Sequence, residues 1–256
     1  MKNCHRVDTL TKVGMKLSKS GEGKDTNPTY FKSLVGSLHY LICIRSDILL
    51  VSRYIEEPKM SYLKAAKHIL RYIKGTLNHG LFYSSNNLLE LVGYSDSDWA
   101  GDIDDQKSIT GFVFFFGNTT FTWSSKKQSI ITLSTCEAKY VAATSCVCHA
   151  IWLRNLLTNI QIPQKEATKT YIDNKSTIEL AKNPIYHDRS KHIDIKYHFI
   201  RNWVKEKIVY LMHTKIRDQV ADIFTKPLQV KAFQRIRRIL GIISLEKSSL
   251  RGDVGN

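Results

Sequence analysis

No stretch of the 256 residues approaches the roughly 20 consecutive apolar residues that a membrane-spanning helix needs. The opening segment, Met1 to Leu17, alternates polar and apolar positions and lacks the unbroken apolar run of a secretory signal. Both absences lead to the expectation of an intracellular protein, cytoplasmic or nuclear. Cysteine is sparse and odd in number: Cys4, Cys43, Cys136, Cys146 and Cys148 stand at irregular spacing, three of them in a helical pattern. A disulfide framework is not expected, and the thiols read as reduced and buried. Acidic residues are also in short supply, 23 Asp+Glu against 38 Lys+Arg, which leaves a formal net charge of +15. Such a chain attracts polyanions; nucleic acid and an anionic membrane surface are the candidates, and charge alone does not separate them. What is present in quantity, 43% hydrophobic and 24% charged residues, suits a globular protein with a real core and at most two domains, and rules out collagen-like, low-complexity and disordered chains.

Residues 1–27 lack apolar periodicity around Ser18-Lys19-Ser20-Gly21-Glu22-Gly23-Lys24 and read as a flexible leader. Residues 28–78 are helical in pattern: Tyr30 to Ile44, then Ser46 capping Asp47 to Ile55, then a helix from Ser61 that Gly75 closes. In that last helix Leu63, Ala66, Leu70 and Ile73 form an apolar seam, and Lys64, Lys67, Arg71 and Lys74 repeat its spacing one position on. This basic row is either a solvated face or a phosphate-contacting one. After Gly75 the period turns extended, with Gly80 to Tyr83, Leu88 to Ser95, Thr110 to Phe116 and Thr119 to Trp123 reading as strands of one antiparallel set. A long helix from Ser134 to about Asn159, an extended Thr168 to Asp173, helices over 175–182 and 190–207, an extended Ile208 to His213 and helices over 219–226 and 230–240 follow. Strands first and helices alternating with strands afterwards predict a mixed sheet with helices packed on it, an α/β (mixed α+β) class. The expected divisions are 79–228 for this sheet domain and 229–256 for a C-terminal helix and flexible tail.

Four carboxylates stand where apolar elements end or helices begin: Asp96, Glu137, Asp173 and Asp222. In mixed sheets, strand ends aim side chains into one cleft. Clustered carboxylates repel one another unless hard cations sit between them, and magnesium is the natural ion. Two such ions roughly 3.5–4 Å apart activate water and stabilise the leaving oxygen of a phosphodiester. Each residue also has a plainer role. Ser134-Thr135-Cys136-Glu137 matches a capping box, Asp96 and Asp98 suit a turn, Asp173 suits a helix cap, and Asp222 suits a solvated helix position. Zinc is not expected, because His187, His192 and His198 are spaced by five and six residues, which puts them on no common helical face. Cys146 and Cys148 point apart on a helix, and Trp99, Trp123, Trp152 and Trp203 read as core or cleft walls, with nucleotide stacking an alternative for Trp99.

Six motifs in order carry more than any one alone: Gly93-Tyr94-Ser95-Asp96-Ser97-Asp98-Trp99-Ala100-Gly101, Trp123-Ser124-Ser125-Lys126-Lys127-Gln128, Leu133-Ser134-Thr135-Cys136-Glu137-Ala138, Asp173-Asn174-Lys175-Ser176, Lys191-His192-Ile193-Asp194 and Asp222-Ile223-Phe224-Thr225-Lys226. Together they resemble the C-terminal part of the Pol polyprotein of copia-type LTR retrotransposons, especially those of plants. Residues 30–75 look like the end of the reverse transcriptase and its connection, and 80–228 like the ribonuclease H domain. The resemblance implies a ribonuclease H-like fold, a mixed five-stranded sheet flanked by helices and preceded by a small helical segment. It maps the family's catalytic, metal-holding carboxylates onto Asp96, Glu137, Asp173 and Asp222, and it maps His213 onto a mobile histidine that assists product release. It implies two Mg2+ ions, with Mn2+ as a substitute, and cleavage of the RNA strand of an RNA–DNA hybrid to leave a 3′-hydroxyl and a 5′-phosphate. The implied partners are the hybrid and the missing reverse transcriptase portion, with no membrane.

Basic residues concentrate towards the end of the chain: residues 182–240 hold fourteen Lys+Arg and five Asp+Glu. Arg189, Lys191, Lys196 and Arg201, with Lys64, Lys67, Arg71 and Lys74, are therefore the expected phosphate contacts. Two positions depart from the family pattern. Lys139 stands where a second acidic residue usually follows Glu137-Ala138, and Ser46 where a proline usually precedes Asp47-Ile48; neither removes an expected metal ligand. The paired aspartates of a polymerase palm are absent, so the expectation is a truncated or separately encoded piece that does not polymerise. Two rivals stay open: a non-catalytic nucleic-acid-binding remnant of a decayed or co-opted element, and a structural or protein-partner module.

Overall fold

A computed structural model describes residues 4–14, 26–49, 60–83, 89–182 and 194–244, with the backbone alone for 194–198. Most of the leader, the stretch expected to be helical beyond residue 49, the segment with His187, Arg189, Lys191 and His192, and the tail after Ser244 lie outside the described residues. In chain order the elements are α1 (Pro28–Ile42), α2 (Met60–Gly75), β1 (His79–Leu81), β2 (Leu91–Asp98), β3 (Ile109–Phe116), β4 (Thr119–Lys127), α3 (Thr135–Asn159), β5 (Thr168–Ile172), α4 (Lys175–Lys182), α5 (Asp194–Lys205), β6 (Val209–His213), two 3-10 turns (Ile216–Asp218 and Val220–Phe224), α6 (Val230–Ile239) and β7 (Ile242–Ser244). They form two compact units, residues 1–83 with 227–256, and residues 84–226. Among the described residues no helix is long and apolar enough to cross a membrane.

In the first unit α1 starts where the Asn27 side chain accepts the N–H groups of Thr29 and Tyr30, with Pro28 in the first turn. Helix α2 buries Tyr62, Leu63, Ala65, Ala66, Ile69 and Tyr72. The expected seam through Leu70 and Ile73 is thus displaced by one position, because Tyr72 belongs to a buried polar network. Its hydroxyl donates to Asp47 Oδ2 at 2.5 Å, and Arg45 clasps both Asp47 oxygens at 2.8 Å while also donating to the Thr76 carbonyl at 3.1 Å. Paired and hydrogen-bonded in this way, a buried charge is tolerated. Strand β1 does not join the main sheet as the extended pattern suggested. It pairs antiparallel with β7, His79 facing Ser244 and Leu81 facing Ile242, which places the C-terminal helix and strand in the same unit as the helical segment.

The second unit is built on a five-stranded sheet of order β4-β3-β2-β5-β6. Strands β2, β3 and β4 are mutually antiparallel, while β5 runs parallel to β2 and β6 parallel to β5. With α3, α4 and α5 packed on it, this is the expected ribonuclease H-like fold. Gly117, at a φ of 60°, makes the tight turn between β3 and β4, a conformation that costs glycine little. The core gathers Leu91, Phe112, Phe114, Ile172 and Leu211 of the sheet against Tyr140, Val147 and Leu153 of α3 and Ile200 of α5. Of the five thiols Cys146 is buried, Cys136 half-buried, and Cys4, Cys43 and Cys148 exposed, so burial holds for one and not for the set; all are free.

The helix expected over 219–226 is instead the 3-10 turn Val220–Phe224, because side chains tie it to the sheet. Gln219 accepts the Ala221 N–H and donates to the Ser95 carbonyl at 3.0 Å, and Ser125 donates to the Phe224 carbonyl at 2.7 Å. The turn lies so close to β3 that a Cβ on Gly111 would meet Thr225 Cγ2 at 2.6 Å and Phe224 Cβ at 2.9 Å. Gly111→Ala is therefore expected to cost about 1–3 kcal/mol through overpacking; an unchanged denaturation midpoint would contradict the close approach.

Candidate carboxylate site

Parallel strands bring their C-terminal ends to the same edge, and the register here does so for two aspartates. Tyr94 faces Tyr171, so two residues further on Asp96 of β2 comes beside Asp173, which directly follows β5. Asp96 is fully buried, and the Asp173 side chain is nearly so. Lys139, near the N-terminal end of α3, enters between them: its Nζ lies 2.5 Å from Asp96 Oδ1 and 2.6 Å from Asp173 Oδ1. A second ammonium, Lys226, sits 2.9 Å from Asp222 Oδ1 and 4.0 Å from Asp96 Oδ2. Thr225 completes the surroundings of Asp96 by donating its hydroxyl to Oδ2 at 2.6 Å.

Glu137 is engaged at its own helix terminus. Its backbone N–H donates to the Ser134 hydroxyl at 3.2 Å, and its Oε2 accepts the Leu133 N–H at 2.8 Å, a close variant of the capping box. Asp98 accepts the Ile109 N–H at 2.6 Å and closes the end of the β2–β3 pair. His213 ends β6 opposite Ile172, one residue before Asp173, and is exposed. Trp99 is half exposed and donates its indole N–H to the Thr132 carbonyl at 3.1 Å. Gln128, at the end of the Trp123 to Gln128 motif, pins the start of α3 to the sheet through its amide, which donates to the Ala138 carbonyl at 2.9 Å and to Thr110 Oγ1 at 3.1 Å.

Burial works against a charged Asp96, yet the ammonium groups of Lys139 and Lys226 and the Thr225 hydroxyl outweigh it and hold its carboxyl below the usual range. Asp222 goes the other way: burial and the neighbouring Asp96 push it up to about 7, only partly opposed by Lys226. Lys139 is raised despite its burial by Asp96 and Asp173, and Lys226 by Asp96 and Asp222.

Mg2+ requires near-octahedral oxygen ligands at about 2.0–2.1 Å. The oxygens of Asp96 and Asp173 that face each other are taken by the Lys139 ammonium, and a divalent cation there would face a tethered positive charge at contact range. Among the described residues no group of three or more His, Cys, Asp or Glu side chains is arranged to hold a metal ion. The residues present therefore do not fit the expected pair of ions. Lys139 deletes none of the four expected ligands but occupies the space that a shared ion needs.

The basic row of α2 is split in use. Lys64 and Lys67 are exposed, whereas Arg71 donates to the His5 carbonyl at 2.8 Å and Lys74 to the Cys4 carbonyl at 3.1 Å. Lys12, Tyr30, Lys64, Lys67, His68 and Arg71 line a cavity of about 740 Å³ in the first unit. Arg201 is half-buried on α5; of Lys196 only the backbone is described, and Arg189 and Lys191 lie outside the described residues. Sequence reasoning named the three aspartates that meet here but missed both lysines as members of the site. The signals were the basic residue two positions after Glu137 and the i, i+4 spacing of Asp222 and Lys226.

Two expectations follow. Lys139→Met leaves Asp96 and Asp173 buried without their shared cation and should cost about 3–5 kcal/mol in unfolding free energy; a loss under about 1 kcal/mol would show the bridge to be a surface pair. A carboxylate whose folded value is raised contributes its full stability below the unfolded value, and that contribution is lost as pH rises through the folded one. For Asp222 the window runs from roughly 4 to about 7. Asp222→Asn should flatten the fall in stability across that window, read from denaturation curves at a series of pH values.

No protein-family model matches the chain. Across 246 residues it is 40% identical to a retrovirus-related Pol polyprotein from transposon RE1 of Arabidopsis thaliana, covering 94% of this chain and 17% of that protein. It is 38% identical over 255 residues to a retrovirus-related Pol polyprotein from transposon TNT 1-94 of Nicotiana tabacum, 95% of this chain and 19% of that one. The chain thus spans less than a fifth of the length of these relatives. Among solved structures, a ribonuclease H1 isolated from compost aligns with a TM-score of 0.41 at 14% identity, over 57% of this chain and 97% of that one.

Proposed function

The chain belongs to the Pol family of copia-type retrotransposons, and on that premise we propose that residues 84–226 form a ribonuclease H module that recognises RNA–DNA hybrids and, in this sequence, holds them without metal-dependent cleavage. The observation that carries the reading is the Lys139 ammonium seated between Asp96 and Asp173. Two-metal hydrolysis relies on carboxylates to position ions that make a water nucleophilic. An ammonium neutralises the same carboxylates but coordinates no water and generates no hydroxide. Recognition needs less: phosphates attract a chain of net charge +15, and 2′-hydroxyls distinguish the RNA strand. Arg201 on α5 is the described residue of this unit assigned to phosphate contact; Lys64 and Lys67, exposed on α2, belong to the other unit.

A second reading, hydrolysis of the RNA strand, is favoured by one feature. Asp96, Asp173 and Asp222 still converge on a shared set of cations at the strand ends. It requires the Lys139 side chain to leave its place between two carboxylates.

Labelled RNA–DNA hybrid, double-stranded DNA and double-stranded RNA separate these readings when offered to the full chain with and without Mg2+. The expected result is hybrid binding that weakens on the order of a hundredfold between 50 and 200 mM salt, for about four phosphate contacts, with the RNA strand intact in Mg2+. Mg2+-dependent cutting that Asp96→Asn abolishes would establish the second reading, and affinity indifferent to salt would leave only a structural module.

A further inference from the structure

We propose that Lys139 is a resident counter-cation: its ammonium takes the place of a divalent ion between Asp96 and Asp173, and reversal of that single charge turns the cluster into a divalent-cation site. The inference rests on reading the cluster as the carboxylate site of a ribonuclease H module, and it makes a claim about metal that holds without any nucleic acid.

Three properties of the site carry it. The first is direction: the α3 backbone at residue 139 is pinned by Gln128 through the preceding residue's carbonyl, so a side chain at this position is aimed at the two aspartates. Charge is the second. Asp96, Asp173 and Asp222 bring three carboxylates together around two ammonium groups, and with Lys139 gone one shared cation is missing from a nearly buried pair. The third is length. A glutamate at 139 is one bond shorter than lysine and replaces a donor at 2.5–2.6 Å by an acceptor about 1 Å further back. That gap is filled by an ion lying about 2.0–2.1 Å from each oxygen. The substitution thus adds a carboxylate to the Asp96–Asp173 pair, removes the competing cation and opens the space between them.

The test compares the wild-type chain with Lys139→Glu and Lys139→Gln by Mn2+ titration, read by calorimetry or by the electron spin resonance of free Mn2+, and by the effect of Mg2+ on melting temperature. Lys139→Glu should bind Mn2+ at least about tenfold more tightly than wild type. Mg2+ should raise its melting temperature and leave that of wild type unmoved. Adding Asp96→Asn to Lys139→Glu should remove the gain. Wild-type chain that binds Mn2+ as tightly as the variant, with the binding lost in Asp96→Asn, would overturn the proposal. So would a folded Lys139→Glu with no gain. If Lys139→Glu does not fold even in Mg2+, Lys139→Gln decides: lacking the ammonium, it must bind Mn2+ more tightly than wild type, and equal affinity overturns the proposal. Absence of hybrid binding would count against the proposed function and leave this result standing, since no nucleic acid is present in the titration.

Discussion

The contact between the Lys139 ammonium and the carboxylates of Asp96 and Asp173 ties together the central strand β2, the end of β5 and the start of α3. Parallel pairing of β2 with β5 makes two acids neighbours, and their proximity would be unfavourable without a cation. Supplying that cation from a helix couples the position of α3 to the charge balance of the strand ends. The rest of the site follows from this one arrangement: Asp96 is held ionised by it, and Asp222, left to share Lys226 beside an already charged neighbour, is the group driven towards the neutral form.

Side chains with no charge set the frame in which these charges act. Thr225 and Gln219 fasten the 3-10 turn that carries Asp222, one to Asp96 and the other to the Ser95 carbonyl. Gly111 lets that turn approach β3 closely enough for both bonds to form. Gln128 does the same for α3 from the opposite direction, which explains why a glutamine closes a motif otherwise made of strand residues. Buried polar contacts of this kind are costly to disturb and so give a site a defined geometry.

Periodicity and turn chemistry made most of the second unit legible in advance. The alternation in Leu91 to Ser95, the Gly117-Asn118 turn and the capping box at Ser134 each appear in the structure close to where the pattern put them. Two features resisted, for different reasons. Residues 79–81 have the pattern of a strand, but pattern does not name a partner, and the partner, residues 242–244, is far away in the chain. Val220 to Phe224 is apolar enough for a helix, but Gln219 and Ser125 hold its ends to the sheet, and such long-range bonds leave no trace in local propensity. At the site, carboxylates at strand ends were visible in sequence because strand ends are. The identity of their cation was not, because Lys139 sits on a helix turn whose orientation is fixed only once α3 packs on the sheet.

The ribbon formed by residues 79–81 and 242–244 encloses the entire second unit within the chain of the first. A nascent polypeptide emerging from the ribosome therefore has every residue of the inner unit available before the last strand of the outer one has been translated. Since domains fold as units as they are synthesised, the inner sheet completes first. Strand β1 must wait for its pairing partner β7 until translation passes residue 244.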